Sequence, residues 1–166
     1  GDDWLLGLGG NDELFGGAGE DLLEGGPGGG TLNGESGADY LLGGPGNDSM
    51  YGWDWWTNHI ISPDVVSFET SSRAVAVVFT DSSHDATVTG EGIDHIRGVK
   101  IVVGTHYADR MTAHGNSAIL VGLEGNDTLT GAYLAGGPGD DRLDGFSAGS
   151  EWDDGDETAD FYSATG

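Results

Sequence analysis

Large apolar residues recur at every ninth position at the start of this chain: Leu5, Leu14, Leu23, Leu32, Leu41 and Met50. Two residues before them stand Asp3, Asp12, Asp21, Gly30, Asp39 and Asp48. Two before those stand Gly1, Gly10, Gly19, Gly28, Gly37 and Gly46. A spacing of nine is neither the 3.6 of an amphipathic helix nor the sustained alternation of a long strand. Each nonad reads as a six-residue turn, G-G-x-G-x-D, followed by a three-residue strand, x-U-x, whose one inward side chain is the apolar U. One buried side chain cannot hold nine residues in place, but stacked nonads bury a continuous ladder, as solenoids do. Two nonads make one coil, so successive turns fall on opposite edges. Each turn then stacks on the turn eighteen residues away, with strands roughly 4.8 Å apart. The pattern predicts an all-β chain with no helix.

The rhythm breaks at Gly52. Residues 53–61, beginning Trp53-Asp54-Trp55-Trp56, read as an insertion that either caps the open end of the first array or offers an aromatic contact surface. Residues 62–103 are poor in glycine and carry β-branched runs at Val75–Thr80 and Ile101–Val103, with a half-nonad at Gly92-Ile93-Asp94-His95-Ile96. A second array follows over residues 104–166. It has good nonads at Gly122–Thr130 and Gly136–Asp144, a shortened rung at Gly131–Ala135, and an acidic end around Asp153, Asp154, Asp156 and Glu157. Asp109 and Asp127 share an edge at the regular spacing. Asp127 and Asp141 share one only if the short rung closes half a coil. The division is therefore 1–52 first array, 53–61 insertion or cap, 62–103 connector and 104–166 second array.

Stacking turns of this kind brings carboxylates and turn carbonyls together. An all-oxygen cage suits a hard cation taking six to eight oxygens, Ca²⁺ rather than Mg²⁺. The plain alternative is that the aspartates only shape turns, but a turn former has no need of one fixed column beside a glycine ladder. One edge carries Asp3, Asp21 and Asp39 unbroken, so full sites are expected between turns 3/21 and 21/39. The other edge has Gly30 between Asp12 and Asp48, and weak sites are expected there.

Period and columns together resemble the GGxGxDxUx repeat of the RTX (repeats-in-toxin) calcium-binding proteins. The resemblance is close over residues 1–52 and 104–144 and looser over 62–103 and 145–166. It implies a right-handed parallel β-roll or β-helix solenoid with several Ca²⁺ ions in its turns. The ligands it implies are Asp3, Asp12, Asp21, Asp39, Asp48, Asp109, Asp127 and Asp141, with turn carbonyls such as those of Gly17, Gly19, Gly34 and Ser36. It further implies a noncatalytic module of a secreted bacterial protein, exported by a type I system and folding on calcium outside the cell. A polysaccharide-binding module, or an adhesin or surface-assembly module using Trp53, Trp55 and Trp56, is the alternative.

Composition narrows the partners. The chain carries 29 acidic and 5 basic residues, a formal charge of −24. Nucleic acid and acidic membranes are excluded as partners by that balance, and so much like charge opposes compaction until cations neutralise it. No cysteine is present, so disulfides do not hold the fold. No apolar run is long enough to span a bilayer, and the start in mid-nonad reads as a fragment. Gly145-Phe146-Ser147-Ala148-Gly149 matches a G-x-S-x-G nucleophile elbow, but the elbow needs a following helix, and the match is cheap among 33 glycines. His59, His84, His95, His106 and His114 form no zinc motif. Lys100 lies in no phosphate loop, and the formal sequons at Asn47 and Asn126 are read as accidents of the Asp column. No catalytic residue is expected.

Overall fold

A computed structural model describes residues 1–52, 63–80, 85–113 and 118–145. The tryptophan-rich insertion (Trp53, Trp55, Trp56), most of the 145–149 elbow match and the acidic end at Asp153–Glu157 lie outside these residues. Among the described residues every regular element is a strand. The first array gives β1 (Trp4–Leu6), β2 (Glu13–Ala18), β3 (Leu22–Glu24), β4 (Thr31–Ser36), β5 (Tyr40–Leu42) and β6 (Ser49–Tyr51). The connector gives β7 (Val65–Ser67), β8 (Ala76–Phe79), β9 (Asp85–Thr89), β10 (Ile93–Arg97) and β11 (Ile101–Val103). The last part gives β12 (Arg110–Thr112), β13 (Ile119–Val121), β14 (Thr128–Gly131), β15 (Tyr133–Ala135) and β16 (Arg142–Gly145).

Two parallel sheets face each other in a β-solenoid. A seven-stranded sheet runs β1-β3-β5-β7-β11-β13-β15, and a nine-stranded sheet runs β16-β14-β12-β8-β9-β10-β6-β4-β2. The same two sheets therefore pass through both arrays and the connector. Registers repeat at the spacing the sequence predicts, with Trp4 opposite Leu22, Leu23 opposite Leu41 and Leu14 opposite Leu32. The short rung does close half a coil, because β14 and β16 pair at Thr128 and Arg142. One strand departs from the parallel plan. β9 runs antiparallel to both β8 and β10 and joins them in a three-strand stitch.

The apolar columns form the core. Leu23, Leu41, Val66, Val102 and Leu120 line the seven-stranded side, and Leu32, Met50, Ile96, Val77, Met111 and Leu129 the other, all essentially solvent-free. The outward faces differ. On the seven-stranded sheet Trp4, Leu22, Tyr40, Val65, Ile101, Ile119 and Tyr133 stand in one register column. On the other sheet the outward positions include Thr31, Ser49, His95, Arg110, Thr128 and Arg142.

The second slot takes a left-handed backbone in most turns, though not at Thr105. Gly17, Gly26, Gly44 and Gly137 fill it with φ of 96°, 83°, 91° and 105°. Leu8, Glu35 and Leu123 take the same conformation with φ of 71°, 67° and 75°. A side chain there is strained. Leu8 is 74% exposed and contributes little packing. Leu8→Gly is therefore expected to stabilise the calcium-loaded fold by about 0.5–1 kcal/mol, read as a higher urea midpoint.

Candidate metal centre

The aspartates of the repeat form hydrogen-bonded ladders along the two edges. Where an aspartate stands one coil further on, its Oδ1 accepts the main-chain N–H of the column residue beneath it. On one edge Asp3 donates to Asp21 at 2.7 Å, Asp21 to Asp39 at 2.9 Å and Asp39 to Asp64 at 3.0 Å. On the other, Gly30 donates to Asp48 at 2.6 Å and Asp48 to Asp94 at 2.9 Å. Beyond the antiparallel stitch a third run begins: Val75 donates to Asp109 at 2.7 Å, Asp109 to Asp127 at 2.8 Å and Asp127 to Asp141 at 2.9 Å.

That arrangement uses one oxygen of each carboxylate and orients the other. Oδ2 of Asp12, Asp21, Asp39, Asp48 and Asp127 is buried and receives no hydrogen bond from the described residues. A buried carboxylate oxygen with no donor is costly. These atoms point at the first glycine of their own turn. A Cβ built on Gly16 would stand 2.6 Å from Asp21 Oδ2 and 2.8 Å from the Gly34 carbonyl oxygen. One on Gly7 would meet Asp12 Oδ2 at 2.8 Å and the Gly25 carbonyl at 2.6 Å. Gly122 repeats the arrangement with Asp127 Oδ2 and the Gly136 carbonyl. The first-slot glycine thus makes room: it leaves a cradle walled by a carboxylate oxygen and a carbonyl oxygen of the next coil. Among the described residues no three His, Cys, Asp or Glu side chains converge as a metal group. The donor set is instead carboxylate plus main-chain carbonyl, which fits Ca²⁺ and not Zn²⁺.

The remaining expected ligands are placed as follows. Asp3 is exposed at the first coil and Asp141 is half-buried. The Gly34 carbonyl lies in the Gly16 cradle. The Gly17 carbonyl accepts the Ser36 hydroxyl at 3.1 Å, and the Ser36 carbonyl accepts Gly19 N–H at 3.0 Å. The Gly19 carbonyl packs under Gly37, where a Cβ would overlap it. Asp109 differs from its neighbours, since its Oδ2 accepts Thr105 N–H at 2.6 Å and its Oδ1 accepts the Thr105 hydroxyl at 2.9 Å. Asp64 and Asp94 continue the ladders, and the sequence reading did not count them as ligands. Each carries the local D-x-U signal, in Asp64-Val65-Val66 and Asp94-His95-Ile96, but at sequence distances of 25 and 46 from their partners instead of eighteen.

Burial raises the pKa of several of these groups. Asp64 is pushed from the usual 3.8 to about 7 by burial and then by the charge of Asp39, opposed by the Asp39 N–H. Asp94 and Asp127 rise to about 6, chiefly by burial, with Asp48 beside the first and Asp109 and Asp141 beside the second. Asp39, Asp48 and Asp109 are raised for the same leading reason. A raised carboxylate favours the folded chain at low pH, and that contribution is lost as pH climbs from about 4 through 6 to 7. In chelator the chain is therefore expected to hold more β structure at pH 5 than at pH 8 by circular dichroism. Cation binding needs the deprotonated form, so the calcium midpoint should move to higher concentration at pH 6 than at pH 8.

The cradle has its own test. Gly16 is not left-handed, so the effect of Gly16→Ala comes from its Cβ, which crowds Asp21 Oδ2 and the Gly34 carbonyl, and not from φ. The calcium midpoint should rise at least about tenfold if the cradle holds a cation, because loss of one close oxygen contact is worth upward of 1.4 kcal/mol. An unchanged midpoint would remove Gly16 from the site.

The sequence profile of the RTX calcium-binding nonapeptide repeat matches the chain in four copies, at residues 1–32, 24–54, 114–132 and 133–147. Together these cover more than half of the chain. No curated protein matches it.

Proposed function

The chain belongs to the RTX calcium-binding nonapeptide-repeat family, and on that premise we propose that it is a calcium-triggered folding module of a secreted bacterial protein. Its repeats bind Ca²⁺. The observation that carries the reading is the set of buried Oδ2 atoms of Asp12, Asp21, Asp39, Asp48 and Asp127, which no described residue hydrogen-bonds. A calcium ion supplies two positive charges and takes six to eight oxygens. Asp12 and Asp21 would contribute their free oxygens together with the Gly25 and Gly34 carbonyls, and Asp127 together with the Gly136 carbonyl. Asp39 and Asp48 would act in the same way beside Gly34 and Gly43. Asp64 and Asp94 extend the two ladders. Asp3 and Asp141 complete the outer coils. The cradles flanking Gly30 are one carboxylate short and would bind more weakly than those along Asp3, Asp21 and Asp39.

Where calcium is scarce, the stacked carboxylates of the repeats hold the arrays open by repulsion. Where calcium is millimolar, binding to the native state alone draws the chain into the roll by mass action. Extracellular calcium modules commonly bind at about 10⁻⁴–10⁻³ M, which sets the switch between the two sides of a membrane. The module itself needs no catalytic residue. The reading that used Trp53, Trp55 and Trp56 to grip polysaccharide or to assemble a surface layer gains no supporting observation, since those residues lie outside the described ones.

Far-UV circular dichroism during a calcium titration, with magnesium as control, tests the proposal. The expected result is a large gain of β structure with calcium and none with magnesium. Asp21→Ala, which damages the ladder on both sides of one coil, should shift the midpoint upward. Full β structure in chelator at pH 8 would sink the reading.

A further inference from the structure

The orphaned carboxylate oxygens are not spread evenly along the roll. The repeat ones fall at Asp12, Asp21, Asp39 and Asp48 and then at Asp127. Between them, the turn residues 104–109 solve the same electrostatic problem with protein groups. Thr105 occupies a glycine slot of the repeat and is solvent-free. Its hydroxyl donates to Asp109 Oδ1 at 2.9 Å and accepts the Tyr107 N–H at 3.0 Å, and its own N–H donates to Asp109 Oδ2 at 2.6 Å. With the Val75 N–H also on Oδ1 at 2.7 Å, both oxygens of this carboxylate have donors. These N–H and O–H donors stabilise the charged form of Asp109 and oppose the burial that on balance still raises its pKa.

Three neighbouring column positions carry no carboxylate, while Asp64 and Asp94 end the two ladders of the first array at its boundary with this part. Val75 stands where an aspartate would precede β8, and Lys100 and Ala118 stand in line with Asp64 on the opposite edge. The core is also heavier here. Phe68, Val75, Val77, Phe79, Val88, Ile96, Val99, Val102 and Met111 are all buried, whereas the first array buries little beyond one large side chain per nonad. The antiparallel stitch of β8, β9 and β10 closes locally, through neighbouring strands in sequence. Across the stitch Arg97 Nε lies 3.3 Å from Asp85 Oδ1.

We propose that the middle of the roll, from β7 to β12, folds without calcium, with Thr105 standing in for the cation at Asp109, and that calcium extends this nucleus outward in both directions. The proposal rests on the calcium-coupled folding described above and states where that coupling does not reach. It gives the module an internal seed: the first array stacks onto β7 and β10 and the last coils onto β11 and β12, each as its cradles fill.

Residue-resolved hydrogen exchange of the full chain in chelator at pH 8 tests this. The amides of Val77, Ile96 and Met111 should exchange at least about tenfold more slowly than those of Leu23 and Leu41, and calcium should then slow Leu23 and Leu41. Equal, fast exchange at all five positions in chelator overturns the proposal. Slow exchange at all five, unchanged by calcium, is a different failure, because it removes calcium-coupled folding itself and this proposal with it. Thr105→Val keeps the β-branched shape and deletes the hydroxyl. In chelator it should speed exchange at Val77 and Met111 at least about tenfold, with calcium restoring the protection. Unchanged exchange at Val77 and Met111 in this variant overturns the assignment to Thr105.

Discussion

Repulsion between stacked carboxylates governs this molecule. Coils lie roughly 4.8 Å apart, and two unit charges at about that separation repel by roughly 3–4 kcal/mol at the effective dielectric of a protein surface. The ladders place aspartate over aspartate for up to four coils on one edge, Asp3 to Asp64. Main-chain N–H groups answer one oxygen of each. Nothing in the repeat answers the other, and burying a single leucine per nonad, worth roughly 1.5–3 kcal/mol, offsets only part of that cost. Glycine in the first slot, the carbonyl of the next coil and the raised pKa values of Asp64, Asp94 and Asp127 are all expressions of that one constraint.

The glycine columns then separate into different physical jobs. First-slot glycines such as Gly16 leave space for oxygen. Second-slot residues such as Gly17 and Gly26 supply a left-handed turn, which Leu8, Glu35 and Leu123 adopt under strain. Fourth-slot glycines such as Gly28 and Gly46 let one coil's backbone approach the next, since a Cβ there would overlap the Gly10 and Gly28 carbonyls. A substitution is therefore expected to act through cation affinity, backbone strain or coil spacing according to its slot.

Much of this was legible because the repeat has one spacing and one apolar position. Leu5 to Met50 give the inward column directly, the two-nonad coil gives the register, and the short rung at Gly131–Ala135 gives the half coil between Asp127 and Asp141. The missed features share a cause. Asp64 and Asp94 belong to the ladders, but intervening residues break the arithmetic that would have linked them to Asp39 and Asp48. β9 carries no periodic mark of running antiparallel. Thr105 reads as a degenerate glycine slot, and only its contacts with Asp109 distinguish decay of the repeat from replacement of the cation.

The antiparallel strand also bears on fidelity. Nonads in the first array are nearly interchangeable, so a coil that pairs one step out of place loses little locally: leucine still meets leucine and aspartate still meets aspartate. Such slipped stacks are the characteristic misfolding risk of repeat chains. β9 has no counterpart elsewhere among the described strands, and its pairing with both β8 and β10 is satisfied in one alignment, with Val88 opposite Val77 and Ala86 opposite Ile96. β6 then meets β10 at Ser49 and His95. A strand that breaks the repeat is thus a fixed index mark from which otherwise identical coils are counted.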